Sequence, residues 1–75
     1  MTDTTDIFKA NLKHLRQSKG LTQATLGNLS GHSTATIAHM EAGAGNITLE
    51  RIEKLAKGLR VPPWRLLWTQ HHQQP

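Results

Sequence analysis

The chain of 75 residues contains no cysteine, so neither a disulfide nor a cysteine-based zinc site can stabilise it. No apolar run approaches the roughly 20 residues of a membrane span, and the acidic, polar start MTDTTD is unlike a signal peptide. We therefore expect a cytoplasmic protein without a membrane partner. A chain of this length forms one domain at most, stabilised by packed helices, by oligomerisation or by both.

Acidic residues are also scarce. Five Asp and Glu stand against nine Lys and Arg, which gives a formal net charge of +4. A small basic domain favours polyanionic partners, and nucleic acid is the first candidate. The charge by itself carries little weight, because many small domains have such an excess without using it.

The alternating pattern of β-strands is absent, and apolar residues recur at helical spacing, so we predict an all-α fold. Predicted helices cover residues 7–19, 23–30, 34–42, 49–60 and a short stretch from Pro63. Their expected N-caps are Asp6, Thr22, Ser33 and Thr48, and Gly20 and Gly31 are expected to end the first two. One domain over residues 6–69 follows, with flexible tails at 1–5 and 70–75.

The second and third predicted helices have the features of a helix-turn-helix over residues 23–42. Gly27 costs about 1 kcal/mol relative to alanine inside a helix, and a close backbone approach would explain it. Gly31 makes the sharp turn, and Ile37 and Met40 face inward towards Leu26. The predicted core also includes Phe8, Leu12, Leu15, Leu29, Leu49, Ile52, Leu55, Ala56 and Leu59.

Residues 8–68, through LRQSKGLTQATLGNLSG, STATIAHMEAG and NITLERIEKLAKGLRVPPWRLL, resemble the Xre family. These are lambda-repressor-like and Cro-like helix-turn-helix regulators. The resemblance implies a five-helix domain that binds double-stranded DNA, usually as a homodimer. Within the family the chain looks most like restriction–modification controller proteins, with small phage Cro-like repressors close behind.

The resemblance also implies roles for particular residues. It places Thr34, Ala35, Ala38 and His39 against the bases, and it pairs Arg16 with Glu41. Contacts to the DNA backbone, or positioning of the interface, are expected at Thr22, Gln23, Ser33, Thr36, Asn46, Thr48 and Arg16. Thr36 has the alternative of bonding back to its own helix.

Three departures from the family pattern affect how DNA would be read. His32 takes a position that is usually aliphatic, and Gly27 replaces the more usual alanine. The recognition face has no Gln, Arg or Lys before residue 51, and these are common base readers. We therefore expect much of the specificity to come from DNA shape, and most of the affinity from phosphate contacts.

The last predicted helix carries two tryptophans, Trp64 and Trp68. They either close the core of the monomer or lie at a dimer interface, where tryptophan is enriched. We expect the side chains of Leu66 and Leu67 to face mostly inward and one tryptophan to lie at the dimer interface. The interface candidates are Trp64, Leu67 and Trp68.

The sequence offers little support for other classes of function. His14, His32, His39, His71 and His72 show no metal-ligand spacing, so we expect no metal, no cofactor and no small-molecule ligand. No nucleophile–base grouping or phosphate-binding glycine loop points to an enzyme. The predicted function is transcription regulation at a near-palindromic operator, with RNA polymerase as a candidate partner and the sign of regulation open. The alternative is an antitoxin or interaction module whose DNA binding is autoregulatory.

Overall fold

The computed structural model describes residues 3–69, and these form four α-helices and one 3-10 helix, without strands. The helices are α1 (Thr4–Ser18), α2 (Gln23–Ser30), α3 (Thr34–Glu41) and α4 (Leu49–Leu59), followed by the 3-10 helix (Pro63–Leu66). The all-α prediction is confirmed, although the expected fifth α-helix is a single 3-10 turn. The predicted flexible tail at 70–75 lies outside the described residues.

The first helix begins earlier than predicted. Asp3, and not Asp6, is its N-cap, because the Asp3 carboxylate accepts a hydrogen bond from the backbone N–H of Asp6 at 3.0 Å. α1 therefore includes Thr4 and Thr5, which were expected to precede it. These short polar residues carry no apolar periodicity, so the pattern gave no sign of the extra turn.

One hydrophobic core lies where α1, α2, α3, α4 and the 3-10 helix meet. α4 packs against α2 and the 3-10 helix, and α1 packs against α3 and the 3-10 helix. Ten of the side chains predicted for the core are buried in it, and so is Leu66 of the 3-10 helix, which was expected to face inward. Leu21 is partly buried and packs against this core. The caps at Thr22, Ser33 and Thr48 are confirmed, since each side chain accepts from a backbone N–H three residues on.

Leu29 and Leu49 were predicted to face the core, and both predictions were wrong: the side chains are 55% and 79% exposed. The buried residues of α2 are Leu26, Gly27 and Ser30. At about 100° per residue, Leu29 lies on the opposite side of Leu26 from Ser30, outside this buried face. Leu49 is the first residue of α4, and burial in that helix begins one turn later at Ile52.

Candidate nucleic-acid interface

The helices α2 and α3 form the predicted helix-turn-helix. Gly31 ends α2 in the left-handed conformation, with a φ of 76°, and Ser33 caps α3 two residues later. A β-carbon on Gly27 would lie 2.5 Å from the carbonyl oxygen of His32, a backbone atom of this turn. Glycine at position 27 is therefore required by the close approach of the turn to α2, as the sequence indicated.

The outer face of α3 consists of small and polar side chains. Thr34, Ala35 and His39 are exposed and Ala38 is half-buried, while Ile37 and Met40 point into the core. The four residues expected to face DNA thus lie on the accessible side of α3. Three of the four have short side chains, which leave this part of the helix surface open to close approach by a large ligand.

Thr36 bonds back to its own helix. Its hydroxyl lies 2.9 Å from that of Ser33, and its backbone N–H donates to the Ser33 hydroxyl at 3.1 Å. The side chain is half-buried. Thr36 therefore fixes the start of α3, and this positioning role agrees with the alternative considered from the sequence.

Arg16 and Glu41 form the expected pair, which joins α1 to the last residue of α3. Arg16 Nε donates to Glu41 Oε2 at 2.5 Å, and its Nη2 donates to Oε1 at 3.0 Å. Arg16 Nη1 also donates to the Leu21 carbonyl at 2.8 Å, and Gln23 Nε2 donates to Glu41 Oε1 at 3.2 Å. The hydrogen bond to Glu41 raises the pKa of Arg16 against the opposing effect of burial. These bonds fix α3 to both α1 and the start of α2.

The loop between α3 and α4 is held by an arginine that the sequence analysis did not single out. Arg51 Nη1 donates to the backbone carbonyl of Asn46 at 2.8 Å, and Arg51 N–H donates to the Thr48 side chain at 3.1 Å. Asn46 and Thr48 are both exposed. Arg51 therefore fixes the backbone that presents the two residues expected to meet DNA. An arginine three residues after a cap is the only sequence signal for this contact.

His32 lies half-buried in the turn between α2 and α3. Its Nδ1 is 3.0 Å from the hydroxyl of Ser30, which itself donates to the Leu26 carbonyl at 2.7 Å. Because that hydroxyl has one proton, the imidazole Nδ1–H is the donor to Ser30. Burial lowers the pKa of His32, the nearby charges of Arg51 and Lys54 lower it further, and a hydrogen bond to the Ser30 backbone opposes them. His32 is thus held in the turn by a hydrogen bond, in surroundings that lower its pKa and so favour the neutral imidazole.

The C-terminal segment presents an apolar surface, formed by Trp64, Leu67 and Trp68. Trp64 is 59% exposed and Leu67 37% exposed, so the expectation that Leu67 faces inward was wrong. Leu67 follows the 3-10 helix as its C-cap, and the buried side chain of that helix is its neighbour Leu66. Trp68 is half-buried, with the Arg65 guanidinium carbon 4.9 Å from the centroid of its ring.

Asn11 fixes this segment to α1, and the sequence analysis missed it. Its side-chain amide donates to the carbonyl of Leu66 at 2.9 Å and to that of Trp68 at 2.7 Å. Both protons of the amide are used on backbone that the short helix leaves unsatisfied. Nothing in the sequence around Asn11 signals a contact with residues more than 50 positions away.

Within residues 3–69, no three His, Asp or Glu side chains lie together in a way that could hold a metal ion. His71 and His72 lie outside the described residues. No helix in the same range is long and apolar enough to cross a membrane.

Comparison with known proteins gives a consistent result. A family model described as helix-turn-helix matches residues 12–63. The restriction–modification controller protein C.AhdI from Aeromonas hydrophila is 40% identical, with a TM-score of 0.77 over 80% of this chain and 91% of its own. A hypothetical transcription factor from Neisseria, NHTF, is 28% identical, with a TM-score of 0.88 over 95% of this chain and 82% of its own.

The wild-type controller protein C.Esp1396I is 27% identical, with a TM-score of 0.77 over 83% of this chain and 80% of its own. No curated protein matches the sequence. The family match covers the whole helix-turn-helix and most of the core around it. This chain therefore belongs to the Xre-like family of helix-turn-helix DNA-binding transcription regulators.

Proposed function

We propose that the protein is a dimeric regulator that binds a near-palindromic operator by placing α3 of each subunit in the major groove. The observation that carries this proposal is the accessible face of α3, with Thr34, Ala35 and His39 exposed, on a helix held at both ends. Ser33 and Thr36 fix its start, and the bonds from Arg16 fix Glu41 at its end. A rigid, exposed helix of small side chains suits the major groove, whose width admits one α-helix.

The chemistry of this face favours thymine-rich steps. The Ala35 side chain and the Thr34 methyl can contact a thymine methyl, and the Thr34 hydroxyl can donate or accept at a base edge. His39 can donate to a guanine acceptor or to a phosphate. Because no long polar side chain reaches out from α3, the deformability of the DNA supplies a large part of the specificity.

A dimer explains the apolar surface formed by Trp64, Leu67 and Trp68. A two-fold dimer that binds two half-sites one DNA turn apart needs its two α3 helices about 34 Å apart, and we assign its contact to this surface. Replacement Trp64→Ala is expected to shift the protein from dimer to monomer in sedimentation equilibrium while the helical circular dichroism stays unchanged. The matched control is Leu49→Ala, which removes an exposed apolar side chain from the first residue of α4.

The restriction–modification controllers C.AhdI and C.Esp1396I lend support to a regulatory role of the same kind. The protein would bind near its own promoter and either block RNA polymerase or recruit it. Binding to a library of genomic fragments, starting with the DNA upstream of its own gene, tests this at two salt concentrations. A two-fold symmetric footprint with half-sites one turn apart is expected, and its position relative to the promoter gives the sign of regulation.

Uniform binding to all fragments that vanishes with added salt would contradict this proposal. Such a protein would contact the DNA backbone alone, and the rival function, an antitoxin or interaction module, would then be favoured.

A further inference from the structure

A cleft of about 430 Å³ lies between α1 and the helix-turn-helix. Its lining joins three helices: Lys13, Arg16 and Gln17 from α1, Gln23 from α2, and Ala38 and Glu41 from α3. The cleft therefore borders both the start of α2 and the face of α3 that is proposed to enter the major groove.

The charges of the cleft are unevenly exposed. The side chains of Arg16 and Glu41 are only 11% and 5% exposed, and their ion pair neutralises both at the least accessible part of the lining. Lys13 is exposed and forms no ion pair within residues 3–69, whereas Lys9, one turn earlier on α1, pairs with Asp6 at 3.5 Å. The cleft therefore presents one uncompensated positive charge, and no accessible carboxylate opposes it.

The position of the cleft beside α3 indicates which group on DNA the Lys13 charge would contact. Ala38 belongs both to the cleft and to the face of α3 expected against the bases. When a helix lies in the major groove, the sugar–phosphate strands run along its two sides. A strand that borders the groove beside Ala38 would therefore pass over the cleft.

We propose that Lys13, assisted by the exposed amide of Gln17, binds a phosphate of this DNA strand. The inference deepens the proposed function and rests on it. A lysine ammonium acts on a phosphate as a compact point charge, so this contact adds affinity and fixes the position of α1 without reading sequence.

The test compares Lys13→Gln with Lys57→Gln. Lys57 is also exposed, but it lies in the last turn of α4, about 12 Å along that helix from its start. Each variant is titrated with an operator duplex and with an unrelated duplex of equal length, between about 50 and 200 mM salt. Lys13→Gln is expected to weaken both complexes by the same factor and to reduce the slope of log affinity against log salt by about 0.9. Lys57→Gln is expected to leave the slope unchanged.

A second variant, Gln17→Glu, places a carboxylate in the same cleft and is expected to weaken both complexes more at low salt than at high salt. The inference is overturned if Lys13→Gln keeps the wild-type slope, or if it weakens only the operator complex, which would make Lys13 a base contact. If the wild-type protein binds neither duplex, the proposed function itself fails, and this outcome is distinct from a wild-type slope in Lys13→Gln.

Discussion

Replacing Glu41 by methionine tests how strongly the fold depends on the bonds between α1 and the end of α3. The substitution would leave the Arg16 guanidinium, whose side chain is 11% exposed, with the Leu21 carbonyl as its one remaining acceptor. Removing one partner of a buried ion pair costs about 3–5 kcal/mol. The bond to Leu21 and the remaining exposure reduce this figure, so we expect a loss of about 2–3 kcal/mol in the free energy of unfolding.

For a domain of this size the loss corresponds to a fall of about 10–20 °C in the melting temperature. The assay is urea and thermal unfolding of Arg16→Met, Glu41→Met and the double variant, followed by circular dichroism. The double variant removes both charges together, so it is expected to lose less than the sum of the single variants, by about 1–3 kcal/mol. Losses that add without any coupling would refute the description of Arg16 and Glu41 as a buried, mutually dependent pair.

Three further predictions concern the turn, its histidine and the C-terminal segment. Gly27→Ala is expected to lower the free energy of unfolding by about 1 kcal/mol, because the new β-carbon meets the His32 carbonyl. This clash outweighs the better helix propensity of alanine. The control Asn28→Ala, at an exposed position of α2, should show no such loss in urea unfolding. Because the pKa of His32 is lowered in the folded protein, the unfolded chain binds more protons as the solution becomes acidic. The contribution of neutral His32 to stability is therefore complete above about pH 6.5 and is lost as the pH falls below that value. His32→Leu should remove this part of the pH dependence, and an unchanged profile would contradict the assignment. Asn11→Ala is expected to lower the free energy of unfolding by about 1–2 kcal/mol, because the carbonyls of Leu66 and Trp68 lose their donor. It should also weaken dimerisation in sedimentation experiments. A dimer of unchanged strength would show that Asn11 does not position the apolar surface formed by Trp64, Leu67 and Trp68.

Much of the helix-turn-helix could be predicted from the sequence because its determinants are local. Thr22, Ser33 and Thr48 cap the helices that follow them, and Gly31 takes the left-handed conformation that a side chain disfavours. Caps and turns depend on a few adjacent residues, so their spacing is visible in a single chain.

The wrong and missed predictions concern residues whose positions depend on packing between distant parts of the chain. Leu29 and Leu67 look like core residues, but both side chains are exposed. The buried directions are taken by Leu26 and Ser30 in α2 and by Leu66 in the 3-10 helix. Asn11 and Arg51 are ordinary polar residues in sequence, and their roles depend on carbonyls that only the folded chain brings near. Arg60 ends α4 with a φ of 60°, without the glycine that usually signals such an end.

Recognition of DNA by the exposed face of α3 is best tested with the substitution Ala35→Glu. Ala35 is exposed, so the fold tolerates the change, but a carboxylate there would enter the groove against acceptor atoms and phosphates. The control is Lys57→Gln, which changes the net charge by the same single unit in the last turn of α4. The measurement is the affinity of each variant for the operator and for unrelated DNA at one salt concentration. We predict that Ala35→Glu loses the preference for the operator by about tenfold or more while Lys57→Gln retains it. Equal preference in both variants would show that this face of α3 does not read the bases.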